Sequence, residues 1–255
     1  MKRSVLFWII AFVITIASGI YQRLTGPTYS LSGTTTFEDM SISYRFDRSS
    51  AGASDAPVAL PVEDADARAT LLWRPHESGD LFAEVPMEYS NGAFRAVLPG
   101  QEPLMKLDYQ VRLERNQEIL LVPPEPVTIR FKGEVPMWVI IPHVLAMFAA
   151  MLFSLRAGLE SFMPEPAYTR LVLWTLGFLV LGGFVFGPLM TRYAFNLWWT
   201  GWPVGSDMTD NKTLLALLGW IVAAAGLKWS KSGREWILAA AALMLAIFLI
   251  PHSIS

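Results

Sequence analysis

The sequence predicts an α-helical membrane protein of five transmembrane helices with an all-β sandwich domain inserted between the first helix and the second. Three observations carry this fold class. The 255 residues are 53% hydrophobic with a mean hydropathy of +0.38, and only 16% are charged, against about 25% in soluble domains. Charge is unevenly spread, since residues 22–134 hold 11 of the 20 Lys and Arg and 17 of the 22 Asp and Glu. Within that segment apolar residues recur with the period of a strand, whereas the flanks are long apolar runs.

The chain opens with Lys2 and Arg3 followed by VLFWIIAFVITIASGIY, an apolar stretch near the lower limit for crossing a ~30 Å hydrocarbon core. It exceeds the usual hydrophobic region of a cleaved leader, and Ala17-Ser18-Gly19 imitates a cleavage site only loosely. Residues 1–21 therefore read as an uncleaved N-terminal anchor.

Residues 22–134 read as an extracytoplasmic β domain. Strands are expected over 36–46, 69–74, 81–89, 93–98, 106–114, 117–122 and 127–132. Met40, Ile42, Tyr44 and Phe46 alternate onto one face, as do Leu107, Tyr109, Val111 and Leu113. Ser90-Asn91-Gly92 and Arg115-Asn116 supply hairpin turns. The stretch 47–68, rich in Ala, Ser, Asp and Pro, is expected to be a mobile loop. His76 lies in a polar turn and is expected to be solvated. About seven short strands in a hundred residues predict an antiparallel sandwich. Leu107-Asp108-Tyr109-Gln110-Val111, followed by a hairpin and a last strand, resembles the late strands of fibronectin type III and immunoglobulin-like modules. Over residues 34–133 that resemblance implies Tyr109 as a corner tyrosine and Trp73 as a core tryptophan, and it implies no active site.

Residues 135–255 read as a four-helix membrane domain, with spans over 136–155, 171–190, 213–227 and 236–251 and an outer loop over 191–212. Lys2, Arg3, Arg156, Arg170, Lys228, Lys231 and Arg234 fall on one side of these spans, which the excess of positive charge on cytoplasmic loops makes the inner side. The expected location is thus a bacterial inner membrane, with the N-terminus cytoplasmic and the β domain, the 191–212 loop and the C-terminus periplasmic. Gly183-x-x-x-Gly187, Gly219-x-x-x-Ala223 and Ala242-x-x-x-Ala246 predict close helix packing, within the protein or against another membrane subunit. No Asp, Glu, Lys or Arg falls inside these expected spans, which disfavours an ion-coupled carrier.

Several function classes are excluded by composition. A net charge of -2 offers no basic excess for a phosphate backbone, so nucleic acid is not an expected partner. The absence of cysteine removes disulfides, thiolate catalysis and Cys-ligated metals. Two groups of residues remain. His143 and His252 recur in the repeated tripeptide Ile-Pro-His. They are either hydrogen-bonded intramembrane groups with no cofactor, or a facing pair able to ligate a haem iron or a metal. The stretch 191–213 concentrates Arg192, Trp198, Trp199, Trp202, Asp207 and Asp210. Its tryptophans suit the headgroup level of a membrane interface, Asp207 or Thr209 is expected to cap the N-terminus of the fourth span, and its acidic groups suit the positive end of that helix's dipole. Together they form an expected partner-contact surface.

The function expected from these features is a non-catalytic accessory, scaffold or assembly subunit of a membrane complex, whose partners are other membrane subunits and the lipid bilayer. The alternatives are a redox or haem-binding subunit using His143 and His252, and a periplasm-facing enzyme using Asp207, Asp210 and Arg192.

Overall fold

The computed structural model describes residues 2–52, 54–205, 208–229 and 232–250. The chain divides into two compact units, one formed by Met1–Pro27 with Val135–Ser255 and the other by Thr28–Glu134.

The second unit is built from ten strands: β1 (Leu31–Phe37), β2 (Met40–Phe46), β3 (Ser49–Ala51), β4 (Ala56–Pro61), β5 (Arg68–Pro75), β6 (Ala83–Pro86), β7 (Glu88–Ser90), β8 (Ala93–Leu98), β9 (Lys106–Arg115) and β10 (Glu118–Lys132). A five-stranded sheet runs β3-β10-β9-β5-β6, a three-stranded sheet β4-β8-β7, and β1-β2 form a separate hairpin. Residues of all three sheets, including Ile42, Phe46, Leu60, Leu71, Leu98, Val111 and Phe131, meet in one buried core, an arrangement compatible with a β-sandwich.

Three expectations for this unit are corrected. The expected strand 36–46 is a hairpin, turned at Glu38-Asp39 with Glu38 at φ 51°. The expected strand 81–89 is two: β6 pairs with β5 and β7 with β8. The chain changes sheet at buried Met87, whose N–H donates to the Ala69 carbonyl at 2.9 Å. The expected mobile loop 47–68 contains β3 and β4. Its polar composition hides an alternation in which Ala56, Val58 and Leu60 face the core while Pro57 and Pro61 point outward. Because β4 is an edge strand, those prolines remove no ladder bond. At the other end of the core, Tyr109 is buried and its hydroxyl donates to the Asp47 carbonyl at 2.8 Å. The corner this tyrosine makes is therefore long-range, anchoring the residue that follows β2. Trp73 packs against the margin of the core rather than inside it.

The first unit is helical. Helix α1 (Lys2–Thr25) and α2 (Met137–Glu160) flank the β unit in sequence, followed by α3 (Tyr168–Leu179), a π-helical turn (Val180–Phe186), α4 (Gly187–Phe195), α5 (Met208–Trp229) and α6 (Arg234–Leu249). The third expected span is thus one continuous helix interrupted by wider turns. Among the described residues four helices are long and apolar enough to cross a membrane: Arg3–Thr25, Met137–Glu160, Tyr168–Phe195 and Met208–Trp229. The 16 residues of α6 reach about 24 Å at 1.5 Å each, short of a ~30 Å core.

Small residues lie where these helices touch one another. A Cβ on Gly158 would approach the Ala241 Cβ to 2.8 Å, one on Gly219 would meet the Leu243 side chain at 2.8 Å, and one on Gly183 would overlap Thr213. Fully buried Trp220, Met151 and Met244 fill the interior between α2, α5 and α6.

The helices also extend beyond the expected spans, and this overturns the expectation that they hold no ionisable group. Arg156 and Glu160, both buried, pair within α2 at 2.6 Å. Arg156 also donates to the Ser4 hydroxyl at 3.2 Å and lies over the rings of Phe7 and Trp8. The Glu160 carboxylate accepts the Ala167 N–H at 3.1 Å, closing the turn into α3. Charge can stay inside a helical unit when each group is paired and hydrogen-bonded.

Candidate functional site

The stretch 191–213 is shaped by its flanking helices. Arg192 belongs to α4, which ends at Phe195, and Asp210 to α5, which is described from Met208. The α4 end is closed by Asn196 in the left-handed region at φ 60°. Its carbonyl accepts from Arg192 at 2.8 Å, and the Arg192 guanidinium also lies over the Trp198 ring. The following turn is locked from α5. The buried Asp210 carboxylate accepts the Thr200 N–H at 2.7 Å and the Thr200 hydroxyl at 2.8 Å. The Asn211 side-chain carbonyl accepts the Trp202 N–H at 2.7 Å. Gly201 sits so near that a Cβ there would lie 2.8 Å from the Asp210 Cβ and 2.9 Å from Asn211 Oδ1.

The expected contact residues consequently take different roles. Asp210 lies in the first turn of α5, at the end expected for an acidic group, and it also clamps the preceding loop. Trp199 stacks on Phe184 and donates through Nε1 to the Trp202 carbonyl at 3.1 Å. Trp198 and Trp202 are left 59% and 68% exposed, beside Val204 at 75%. The result is an apolar surface held on a rigid turn. Asp207 lies outside the described residues.

A second feature was only half legible in the sequence. Between α1, α2, α5 and α6 lies a cavity of about 190 Å³. Its lining combines Gln22, His143, Thr209, Lys212 and Thr213 with the apolar Val144, Met147, Phe148, Ala216, Ile247 and Phe248. These belong to the last turns of α1 and α6, the first half of α2 and the first turns of α5, so the cavity extends from the end of the helical unit where α1 finishes and α2 begins toward the middle of α2. His143 Nδ1 lies 2.9 Å from the Gly182 carbonyl oxygen. A carbonyl only accepts, so Nδ1 carries the proton and, in the neutral ring, Nε2 carries a lone pair.

The π-helical turn explains why Gly182 can serve His143. Its carbonyl bonds to the Gly187 N–H, five residues on, and the wider turn directs the second lone pair toward α2. A Cβ on Gly182 would stand 2.8 Å from Met147 Sδ and 3.1 Å from the Ala146 Cβ, so only glycine lets the two helices come this close. Pro142, the residue before His143, lies inside the unbroken α2.

Lys212 is buried and donates to the Ile250 carbonyl at 3.1 Å, tying the start of α5 to the end of α6. Hydropathy puts Lys212 at the end of the outer loop and Gln22 at the start of the β domain. Both lie on helices within one turn of an expected span boundary, the only signal that could have identified them. His252, the expected partner of His143, lies outside the described residues.

In the β unit His76 is bound rather than solvated. Its Nδ1 stands 2.7 Å from the Asp108 carboxylate, which also accepts the Thr128 hydroxyl at 2.7 Å. Among the described residues no group of three or more His, Asp or Glu is arranged to hold a metal ion. No family model matches this chain, and no curated protein matches it significantly.

Proposed function

We propose that this protein is an accessory or assembly subunit of a bacterial inner-membrane complex, presenting an apolar loop and a β domain to partners on the periplasmic side. One observation carries the reading: the Asp210 and Asn211 bonds that hold Thr200 and Trp202 in place while Trp198, Trp202 and Val204 stay exposed. Anchoring to headgroups needs only tryptophans at the interface. A turn fixed by buried side-chain acceptors is pre-organised as well, which lowers the cost of ordering on association.

The β unit supports the same reading. The order β10-β9-β5 within one sheet, faced by β4-β8-β7, corresponds to the G-F-C and B-E order of immunoglobulin-like sandwiches, folds whose function lies in what is grafted on their surface. The excess of basic residues at the opposite end of the helices favours five spans, with α6 completing the set and the loop outside. A haem role for His143 with His252 is weakened by size. About 190 Å³ is close to the roughly 150 Å³ that encloses one benzene ring, far short of a porphyrin.

Purification of the full chain in mild detergent, followed by mass spectrometry, tests the proposal. A stoichiometric membrane subunit should accompany the wild type and be lost from the Trp198→Ala, Trp202→Ala double variant at unchanged thermal stability. A strictly monomeric wild type, or a partner retained by that variant, would refute the assignment of the loop.

A further inference from the structure

We infer that the cavity between α1, α2, α5 and α6 holds the end of one acyl chain of a membrane phospholipid, drawn in from the lipid-facing surface beside Val144. The inference stands apart from the subunit reading, because it needs only that these helices lie in a bilayer and uses none of the exposed tryptophans.

Polarity sets the class of ligand. Four of the five polar residues on the lining spend hydrogen bonds on the protein itself. The Thr213 hydroxyl donates to the Thr209 carbonyl at 3.0 Å, His143 Nδ1 to the Gly182 carbonyl at 2.9 Å and Lys212 Nζ to the Ile250 carbonyl at 3.1 Å, while Thr209 and Lys212 have further partners. The fifth, Gln22, stands in the last turn of α1, toward the headgroup level. The other walls are Val144, Met147, Phe148, Ala216, Ile247 and Phe248. A space so lined selects its ligand by apolar area and dispersion.

Shape then selects a chain. About 190 Å³, against roughly 150 Å³ for one benzene ring, gives room for about six to eight carbon atoms. Beside Phe148 and Phe248 the space continues as a crevice of only about 10 Å³, lined also by Thr15, Gly19 and Met151. That is about the size of one small probe, so a methyl end can follow it and a ring cannot. Thr15 brings no free donor there, since its hydroxyl bonds to the Ala11 carbonyl at 2.8 Å. Gln22 and Thr15 lie about 10 Å apart along α1 at 1.5 Å per residue, so the path leads into hydrocarbon depth.

The mouth fixes the source. Val144 lines the cavity and is also 41% exposed, and Ile141 and Leu145 beside it in α2 are exposed apolar groups. In a bilayer the solvent at such a surface is acyl chain. A void left empty there loses dispersion contacts on every wall, and the adjoining lipid supplies the atoms that restore them.

Full-length protein in nanodiscs of phosphatidylcholine carrying a diazirine at the end of one acyl chain tests this, with the labelled residues read by mass spectrometry. Leu145, 65% exposed, reports the surrounding lipid, whereas Ala216 and Ile247 line the cavity and are buried. Labelling of all three is expected. Val144→Trp, which narrows the mouth at an exposed position, should lower labelling of Ala216 and Ile247 about tenfold, equivalent to about 1.4 kcal/mol, and leave Leu145 labelling and the melting temperature unchanged. Wild-type labelling confined to Leu145 would overturn the inference, as would labelling of Ala216 and Ile247 that is indifferent to Val144→Trp. Stronger labelling of those two, relative to Leu145, by diazirine-tipped palmitate in unlabelled phosphatidylcholine nanodiscs would also overturn it, since it assigns the cavity to a free fatty acid.

Discussion

Replacing Asp210 by alanine tests whether the loop is held from α5. In the wild type the Asp210 carboxylate accepts the Thr200 N–H at 2.7 Å and the Thr200 hydroxyl at 2.8 Å, and the residue is 8% exposed. The hydroxyl can rotate toward water when the carboxylate is gone, whereas the amide is fixed by the backbone, so only the amide bond is counted. A hydrogen bond to a charged group contributes about 1.5–3 kcal/mol. At about 1.4 kcal/mol per factor of ten, exchange of the Thr200 amide hydrogen should accelerate roughly 10- to 150-fold. Hydrogen–deuterium exchange read at Thr200 and Trp202 measures this directly. Trp202 should change less, since its N–H is held independently by Asn211 at 2.7 Å, and amides in the middle of α2 should not change. Asp210→Asn separates two contributions. It retains a carbonyl acceptor but removes the charge that favours the positive end of α5, worth about 0.3–1 kcal/mol, so its effect should fall between wild type and Asp210→Ala. Exchange at Thr200 within twofold of wild type would show that the loop is held by something else, and uniform acceleration through α2 and α5 would show general unfolding.

Two further outcomes are expected. Arg156→Met leaves the Glu160 carboxylate buried without its partner 2.6 Å away and should lower stability by about 3–5 kcal/mol, while adding Glu160→Met should recover much of that loss; thermal unfolding in one detergent compares the three. For Tyr109, burial chiefly and then the Asp47 charge push the phenol well above its ordinary value. A raised folded-state value means the resulting stability is fully present below about pH 10, the unfolded value, and is lost as pH rises toward the folded one. Tyr109→Phe should thus cost about 1 kcal/mol near neutrality, with the gap to wild type closing above pH 10. A constant gap through pH 11, in denaturation followed by circular dichroism, would contradict this.

Element type was legible wherever one periodicity dominated. The alternation in β9 and β2 and the apolar runs of α2 and α3 set strand and helix without help from tertiary contacts. What failed were places where two signals competed. In 56–61 the prolines suggest a loop, yet they occupy outward positions of an edge strand whose inward positions are Ala56, Val58 and Leu60. At the helix ends, hydropathy drops at the first charged residue, so Arg156, Glu160, Asp210 and Lys212 were assigned to loops. Arg156 and Lys212 are accommodated by partners distant in sequence, Ser4 and Ile250, and Glu160 and Asp210 by backbone N–H groups of the adjoining turns, at Ala167 and Thr200. Only the Arg156–Glu160 pair follows a local spacing, four residues along one helix. The cavity was hidden for the same reason, since Gln22, His143 and Lys212 come from three helices, and His143 was visible only as a polar residue in an apolar run.

The polar residues of the helical unit are used in opposite ways at its two ends. Where α1 starts and α2 ends, Arg156 pairs with Glu160 and donates to Ser4, Glu160 accepts from Ala167, and the Tyr168 hydroxyl donates to the Ser161 hydroxyl at 3.1 Å. Trp236 packs so tightly on Gly226 there that a Cβ on the glycine would overlap its ring. That end is consumed by its own contacts. Where α1 ends and α2 starts, the π-helical turn spends a carbonyl on His143, Asp210 and Asn211 reach outward to hold a loop, and a cavity remains. A bundle selected for stability alone has no use for a widened turn, a buried lysine and an open volume at one end, because each costs packing that leucines would supply. Loop and cavity thus share the first turns of α5, through Asp210 on one side and Thr209, Lys212 and Thr213 on the other. Lys212→Met, which removes the tie from α5 to the Ile250 carbonyl, should lower thermal stability while leaving exchange at Thr200, held by Asp210, within twofold of wild type. Acceleration at Thr200 in that variant would mean that the loop and the α5–α6 tie respond as one unit.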